Sequence, residues 1–457
     1  MEKIISFDSG TTNTKVFLFS INGKLLKNFS TPTGISFPQP LFAEQNCNDW
    51  IGTIIRGIRN VGDSSVRGIS GSFQGGTFVL LDKHLKPLVP AITWLDNRSR
   101  DIASDFVKKY GEDFFYRKTG YVPRGWSCLF NLLWIKKFKP EVFRKIARIS
   151  FVADYVNYFF TGNFALDHTS AAITTLYNLE KKQWDEELLE IAGIKKQMLG
   201  EIVQASDVIG RLKKDTAKTI GLEAGIPVFA GGHDQYCASF GAGAAKTNRI
   251  LVSCGTAWVL LATTSKMVFD PQRQFCPGPH VKKNLYGLMY AISNGGIIYD
   301  WGRKIFSCEF DSFKGPSGII IAPEFNTGNG AILNLNLSTN SHQILQAIVE
   351  CLCFQVRKCL ERVEEILPSG EKMKKIVMIG GATRNPLVAK LLASITGRNV
   401  IVPEISEAAG FGAMKLTTSG EVSEENIPAK LFSVNRRLHH KYQHLYHCYT
   451  GLKISIL

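Results

Sequence analysis

The sequence predicts an α/β protein built from two similar halves, on three observations. The chain opens on a β-meander, strand and helix patterns alternate after it, and a strand, Gly-Thr turn, strand pattern recurs about half the chain later. A length of 457 residues fits two or three domains of roughly 150 residues each. Hydrophobic residues make up 45% and charged residues 20%, the balance of an ordinary globular chain.

In the meander, Ile4-Ile5-Ser6-Phe7 reads as a strand, Ser9 to Thr12 as a turn and Lys15 to Phe19 as a second strand. Asn22-Gly23 then marks a hairpin, because tight hairpin turns need positive φ and these residues tolerate it. Val66 to Ser70 and Thr77 to Leu81 carry strand patterns, and Ile102 to Tyr110 and Leu129 to Phe138 carry helical ones. The repeat is Ile4 to Thr12 followed by Val16 to Phe19, against Ile250 to Ala257 followed by Trp258 to Leu261. Two such openings point to two similarly built domains facing one another across a cleft.

Composition excludes several classes. No apolar run reaches about 18 residues, so no membrane span is expected. The N-terminus enters a strand pattern at once and lacks a signal-peptide pattern, which makes the cytoplasm the expected location. The ten cysteines show no Cys-x-x-Cys spacing, and reduced thiols are expected rather than zinc ligands. The net charge is +15, yet Lys and Arg are spread along the chain with only short clusters such as Lys136-Lys137 and Arg436-Arg437. No nucleic-acid partner is expected; a basic surface favours anionic small molecules such as nucleotides.

The chemistry-bearing residues lie at strand ends. After Asp8, Gly10 allows a tight backbone, and Thr11, Thr12 and Asn13 offer donors for an anion-binding concavity. Lys15 adds a positive charge nearby, and Asp8 suits a water-mediated Mg²⁺ site. Gly255-Thr256 repeats the turn with Ser253 in the place of Asp8, and one acidic and one neutral donor loop is the asymmetry a Mg-nucleotide requires. In Gly231-Gly232-His233-Asp234-Gln235 a strand ends and an acid opens a helix. Asp234 is read either as a helix N-cap or as a carboxylate that accepts a proton from an alcohol, and His233 is read as structural. Gly380-Gly381, between a buried strand and a helix from Leu387 to Thr396, suits close approach of a purine or ribose, with Glu407 to Ala413 packed tightly behind it.

In this order, Asp8-Ser9-Gly10-Thr11-Thr12, Gly232-His233-Asp234-Gln235, Gly255-Thr256 and Gly380-Gly381 resemble the FGGY carbohydrate kinases, in the superfamily of actin-like, chaperone-like and hexokinase-like ATPases. Trp94-Leu95-Asp96-Asn97-Arg98 is similar to that family's Trp-x-Asp-x-Arg segment. The resemblance implies two ribonuclease-H-like domains, residues 1–243 with the sugar site, first phosphate hairpin and base, and residues 244–457 with the second hairpin and adenosine site. It implies ATP and Mg²⁺ as cofactors, Asp8 on the metal side and Asp234 as catalytic base. Gly10, Thr11, Thr12, Asn13, Lys15, Gly255, Thr256, Gly296, Gly381 and Asn385 then serve the nucleotide, while Gln74, Asp96, Trp126 and Gln235 serve the sugar.

The segment Ser72 to Thr77 stands where xylulose kinases carry Gln-Met-His-Gly and glycerol kinases an Arg-Glu pair. Gln74 fits the former, Gly75 and Gly76 do not, and the missing Arg-Glu pair disfavours glycerol. The segments around Gly231 and Gly255 resemble deoxyketose kinases. A ketopentose or deoxyketohexose is therefore the expected substrate and a homodimer is allowed. A chaperone or cytoskeletal ATPase and a catalytically weak sugar-binding regulator are the competing classes, and the intact base and phosphate turns oppose the last.

Overall fold

The computed structural model describes residues 2–292, 294–325, 328, 330–368, 371–418 and 427–451. The chain divides into two compact units: Met1–Gly241 with Phe269–Gly287 and Glu407–Glu424, and Ala242–Val268 with Leu288–Ser406 and Glu425–Leu457.

The first unit is organised around a mixed sheet. Its first strands are β1 (Lys3–Ser9), β2 (Asn13–Ser20), β3 (Leu25–Pro32) and β4 (Val66–Phe73), followed by β5 (Val208–Arg211), β6 (Pro227–Phe229) and β7 (Gly232–His233). The sheet order is β5-β6-β4-β1-β2-β3, with β7 also on β4. β1 and β2 are antiparallel, as the meander requires, and Gly23 takes φ +88° in the turn after β2. β4 lies parallel to β1, so both strands end on the same edge. Ile4, Ile5, Phe7 and Val16 to Phe19 are buried, as is Trp50 on the helix Cys47–Val61.

The second unit repeats this plan with β8 (Arg249–Cys254), β9 (Trp258–Thr264), β10 (Tyr286–Ile292), β11 (Lys375–Ile379), β12 (Asn399–Pro403) and β13 (Ala429–Phe432). Its order is β10-β9-β8-β11-β12-β13, with β8 antiparallel to β9 and parallel to β11. The β2-β1-β4 arrangement and the β9-β8-β11 arrangement are equivalent, which is the duplication the two Gly-Thr hairpins signal. A long helix, Ser341–Ile366, begins at a capping box in which Asn340 and Gln343 bond reciprocally. The C-terminal helix Arg436–Thr450 docks on it: Tyr442 donates to Glu350 at 2.8 Å, and the Arg357 guanidinium lies 3.8 Å from the centre of the Tyr446 ring.

The small-residue helix runs from Ala408 to Leu416 and belongs to the first unit, not behind the Gly380-Gly381 turn as its sequence position suggests. It crosses the helix Asp234–Gly241 with the two backbones in contact. A Cβ on Gly412 would overlap the Cys237 carbonyl, and one on Gly241 would overlap the Ala408 carbonyl. Glycine at both positions is what lets this pair approach.

All ten cysteines are unpaired. Among the described residues, no helix is long and apolar enough to cross a membrane.

Candidate active site

Three strand ends of the first unit deliver the acidic groups to one edge. Asp8 on β1 is in register with Ser72 on β4, and Ser72 with Gly232 on β7. Strands lie about 4.8 Å apart, so Asp8 and Asp234, which follows β7, are two strands apart on a shared edge. Between β6 and β7 the chain breaks at Gly231, whose φ is +74° and whose missing side chain leaves room for the Gly71 carbonyl. That bend lets β7 rejoin β4 and places Asp234 as the first residue of the helix Asp234–Gly241.

The Asp8 carboxyl feels the charge of Asp234. Burial, then the charge of Asp234, raises the Asp8 pKa to about 7, against a 2.8 Å hydrogen bond from Ser72 Oγ. Asp234 is raised to about 6 by burial, opposed by hydrogen bonds from the backbone and side chain of Gln235. Both carboxyls are held above the ordinary carboxylate range, and the pair titrates together. The Asp234 side chain keeps 29% of its surface open to solvent. Gln235 Oε1 is buried without a partner.

In the first hairpin, the backbone N–H groups of Thr11 and Thr12 have no backbone partner among the described residues, as an anion cradle requires. The Thr11 hydroxyl is engaged elsewhere: it accepts from Trp94 Nε1 at 2.8 Å and donates to Gln74 Oε1 at 3.0 Å. Lys15 is held by Glu407, at 3.0 and 2.8 Å from its two carboxylate oxygens.

A polar network joins this hairpin to the sugar-loop residues. Gln74 is buried and donates to Gln45 Oε1 at 3.0 Å, while Gln45 Nε2 donates to the Thr11 carbonyl at 2.7 Å and Trp50 Nε1 donates to Gln45 Oε1 at 3.1 Å. Both ends of the Gln74 amide are therefore bonded within the protein. Trp94, 41% exposed, and Trp126 both approach Gly76: a Cβ there would lie 3.2 Å from Trp94 and 3.5 Å from Trp126. Asp96 is fully buried and accepts from the Ala43 backbone N–H at 2.8 Å and bidentately from Arg98, which also reaches Glu44 at 2.7 Å. Asp96 thus braces this loop from within. Gln45 and Trp94 were not singled out by sequence reasoning. The Trp-x-Asp-x-Arg segment was the available signal for Trp94; nothing local pointed to Gln45.

The second unit holds a cavity of about 640 Å³. Gly255, Thr256, Gly296, Gly381 and Asn385, the five nucleotide candidates of the second half, all line it. A Cβ on Gly296 would overlap the Gly255 carbonyl, so the helix Gly295–Phe306 starts against the second hairpin. Gly380 takes φ +92° beside the Cys254 backbone, turning the chain into a short 3₁₀ segment before the helix Pro386–Thr396. Asn385 caps that helix by accepting from the Leu387 N–H at 3.0 Å. Tyr299, Arg303 and Arg384 also line the cavity, and Arg303 is paired with Glu309. A volume of this size with glycine-lined walls and few side chains at the turns fits a nucleotide.

Comparison with known proteins agrees with this architecture. The FGGY family of carbohydrate kinases matches through its N-terminal domain at residues 3–241 and its C-terminal domain at residues 322–420. A xylulose kinase of Bacillus subtilis is 27% identical, over 92% of this chain and 88% of the relative. A glycerol kinase of Thermococcus gammatolerans is 26% identical, over 90% and 88%. The crystal structure of ligand-bound xylulose kinase from Lactobacillus acidophilus superposes with a TM-score of 0.90 at 25% identity, covering 98% of this chain and 97% of that one.

An α/β fold of two domains, each with its own mixed sheet, and matches to both family domains define the class: an ATP-using carbohydrate kinase. The chain belongs to the FGGY family of carbohydrate kinases.

Proposed function

We propose that this kinase transfers the γ-phosphoryl group of ATP to a hydroxyl of a small neutral sugar, with a ketopentose such as xylulose or ribulose as first choice. The observation that carries the reading is Asp234, a partly open carboxylate that follows a strand end, with its pKa raised to about 6. The first unit supplies the sugar site, the first phosphate turn and the base; the second unit supplies the adenosine cavity and the second turn.

Asp234 orients the acceptor hydroxyl and takes its proton. Because the transition state of phosphoryl transfer is loose, that proton moves late, and alignment matters as much as basicity. Gln235 orders the carboxylate, and its unpartnered Oε1 is an acceptor for a second sugar hydroxyl. Trp94 and Trp126 offer apolar faces for the C–H surface of a sugar ring or chain, while Gln74 holds Thr11 and thereby ties the sugar loop to the phosphate turn. The N–H groups of Thr11 and Thr12 are the phosphate donors of the first unit, and those around Gly255 and Thr256 are the phosphate donors of the second.

Asp8 with Asp234 nearby suits Mg²⁺, which keeps several waters and takes one or two carboxylates plus phosphate oxygens. Among the described residues no three acidic, His or Cys side chains group into a metal cage. When bound, Mg²⁺ neutralises charge on the phosphates. Replacing Asp8 by Asn is expected to raise the Mg²⁺ concentration for half-maximal turnover by about tenfold or more. An unchanged Mg²⁺ requirement, measured by titration at saturating ATP, would remove Asp8 from the metal side.

The substrate is tested by ADP release across xylulose, ribulose, fuculose, rhamnulose, glycerol and gluconate. The expected result is the highest kcat/KM on a ketopentose. Turnover confined to glycerol or gluconate would overturn the ketose assignment.

A further inference from the structure

His233 stands next to the base in sequence and in space, and it is a buried polar group without a partner. The residue is 4% exposed, and its Nδ1 is enclosed by protein with no hydrogen bond of its own. That nitrogen lies 3.4 Å from Asp234 Oδ1. A carboxylate is the natural acceptor for an enclosed imidazole N–H, and bonds at catalytic sites are commonly long before substrate arrives.

The ring is held from several directions. Its backbone N–H donates to Thr169 Oγ1 at 2.9 Å, and Thr169 Oγ1 donates to Asp167 Oδ2 at 2.6 Å. Asp167 is buried and caps the helix His168–Ala172 through the N–H groups of Thr169 and Ser170. On the other side the imidazole presses on the sugar loop: a Cβ on Gly75 would overlap Cδ2 of the ring and come 2.5 Å from Nε2, and would meet Ile173 as well. Tyr236 stands edge-on, 5.8 Å away between ring centres. The imidazole thus bridges the sugar loop and the base, fixed at its backbone by Thr169 and Asp167. Burial lowers its pKa to about 4, so the ring is neutral at physiological pH and carries a single N–H.

We propose that His233 is a positioning residue for the base, donating from Nδ1 to Asp234 Oδ1 in the substrate complex so that one carboxylate oxygen is kept for the acceptor hydroxyl. This rests on Asp234 being the base. The ring tautomer is the one with the proton on Nδ1, which satisfies both the enclosed nitrogen and the carboxylate.

The experiment uses the full chain and compares His233→Phe, which fills the volume without a donor, with His233→Asn, whose amide N–H stands near the position of Nδ1. Losing a hydrogen bond to a charged group predicts that kcat of His233→Phe falls about 10–100-fold, with the sugar KM within about threefold. His233→Asn recovers to within about threefold of the parent. In an Asp234→Asn background, His233→Phe costs nothing further, because the bond has lost its purpose. Unfolding temperature with and without nucleotide checks folding, and His233→Leu replaces the Phe variant if the larger ring does not fold. A Phe or Leu variant with parental kcat, or an Asn variant as impaired as Phe, overturns the proposal. Near-normal turnover in Asp234→Asn alone overturns the base assignment instead, so the two failures are told apart.

Discussion

Asp234→Asn is expected to lower kcat by about 10²–10⁴-fold, the usual worth of a general base, while nucleotide binding persists. Binding persists because the cavity proposed for the nucleotide is lined by residues of the second unit, none of them adjacent in sequence to Asp234. Steady-state kinetics and nucleotide titration, read together, separate the two. The parent enzyme supplies a pH signature as well. The base must be ionised, and burial raises its pKa in the folded chain to about 6, so kcat/KM falls on the acid side; Asp8, raised to about 7 beside it, titrates in the same range and adds to that fall. The Asn variant keeps only the part of this limb that belongs to Asp8.

Stability moves in the opposite sense. A carboxylate whose folded pKa is raised binds its proton more tightly in the folded chain than in the unfolded one. Its contribution is therefore fully present below the ordinary value of 3.8 and is lost as pH rises through about 6. At pH 7.5 the unliganded Asn variant is thus expected to unfold at or above the parental temperature. A variant that lost activity and several degrees together would have lost its fold, and the base assignment would gain nothing from it.

The second large effect concerns the crossing of the helices Asp234–Gly241 and Ala408–Leu416. Gly412→Ala puts a methyl group onto the Cys237 carbonyl, and a backbone atom cannot swing aside as a side chain does. The helices must separate, breaking the contact of Gly241 with the Ala408 backbone and shifting Phe411 against Phe19, whose ring centres are 5.6 Å apart. Overpacking of this kind typically costs about 1–3 kcal/mol, and the rigid target places this case at about 3 or above. Because Asp234 opens one of the two helices, the surviving folded fraction should also turn over more slowly. Thermal unfolding and soluble yield measure the first effect, and kcat per folded molecule the second. A parental unfolding temperature would mean that the crossing yields easily.

What could be read from the sequence divides by physical cause. The hairpins, the duplicated strand order and the cavity residues Gly255, Thr256, Gly296, Gly381 and Asn385 depend on backbone shape, which glycine and its neighbours write locally. Side-chain partnerships do not work that way. Lys15 meets Glu407, Arg98 reaches Glu44 and Asp96 accepts from the Ala43 N–H, and these partnerships are decided by elements that fold beside them. The Gln45, Gln74, Thr11 and Trp94 network draws on four separate segments, so no local pattern announces it. The small-residue helix shows the same limit: its composition signals close packing, but the partner, the helix that carries Asp234, is set by the chain's return to the first unit.

That return fixes an order of events during synthesis. The base-bearing helix is complete once Gly241 is made, but the helix against which it packs backbone to backbone runs from Ala408. Until the ribosome has passed most of the second unit, the first unit has an uncovered helix face and Asp234 lacks its final support. Domains fold as units as they emerge, usually the N-terminal one first. Here the earliest part of the chain must wait for one of the latest, so a nascent chain cannot complete the support of the proposed base before most of the second unit has been made.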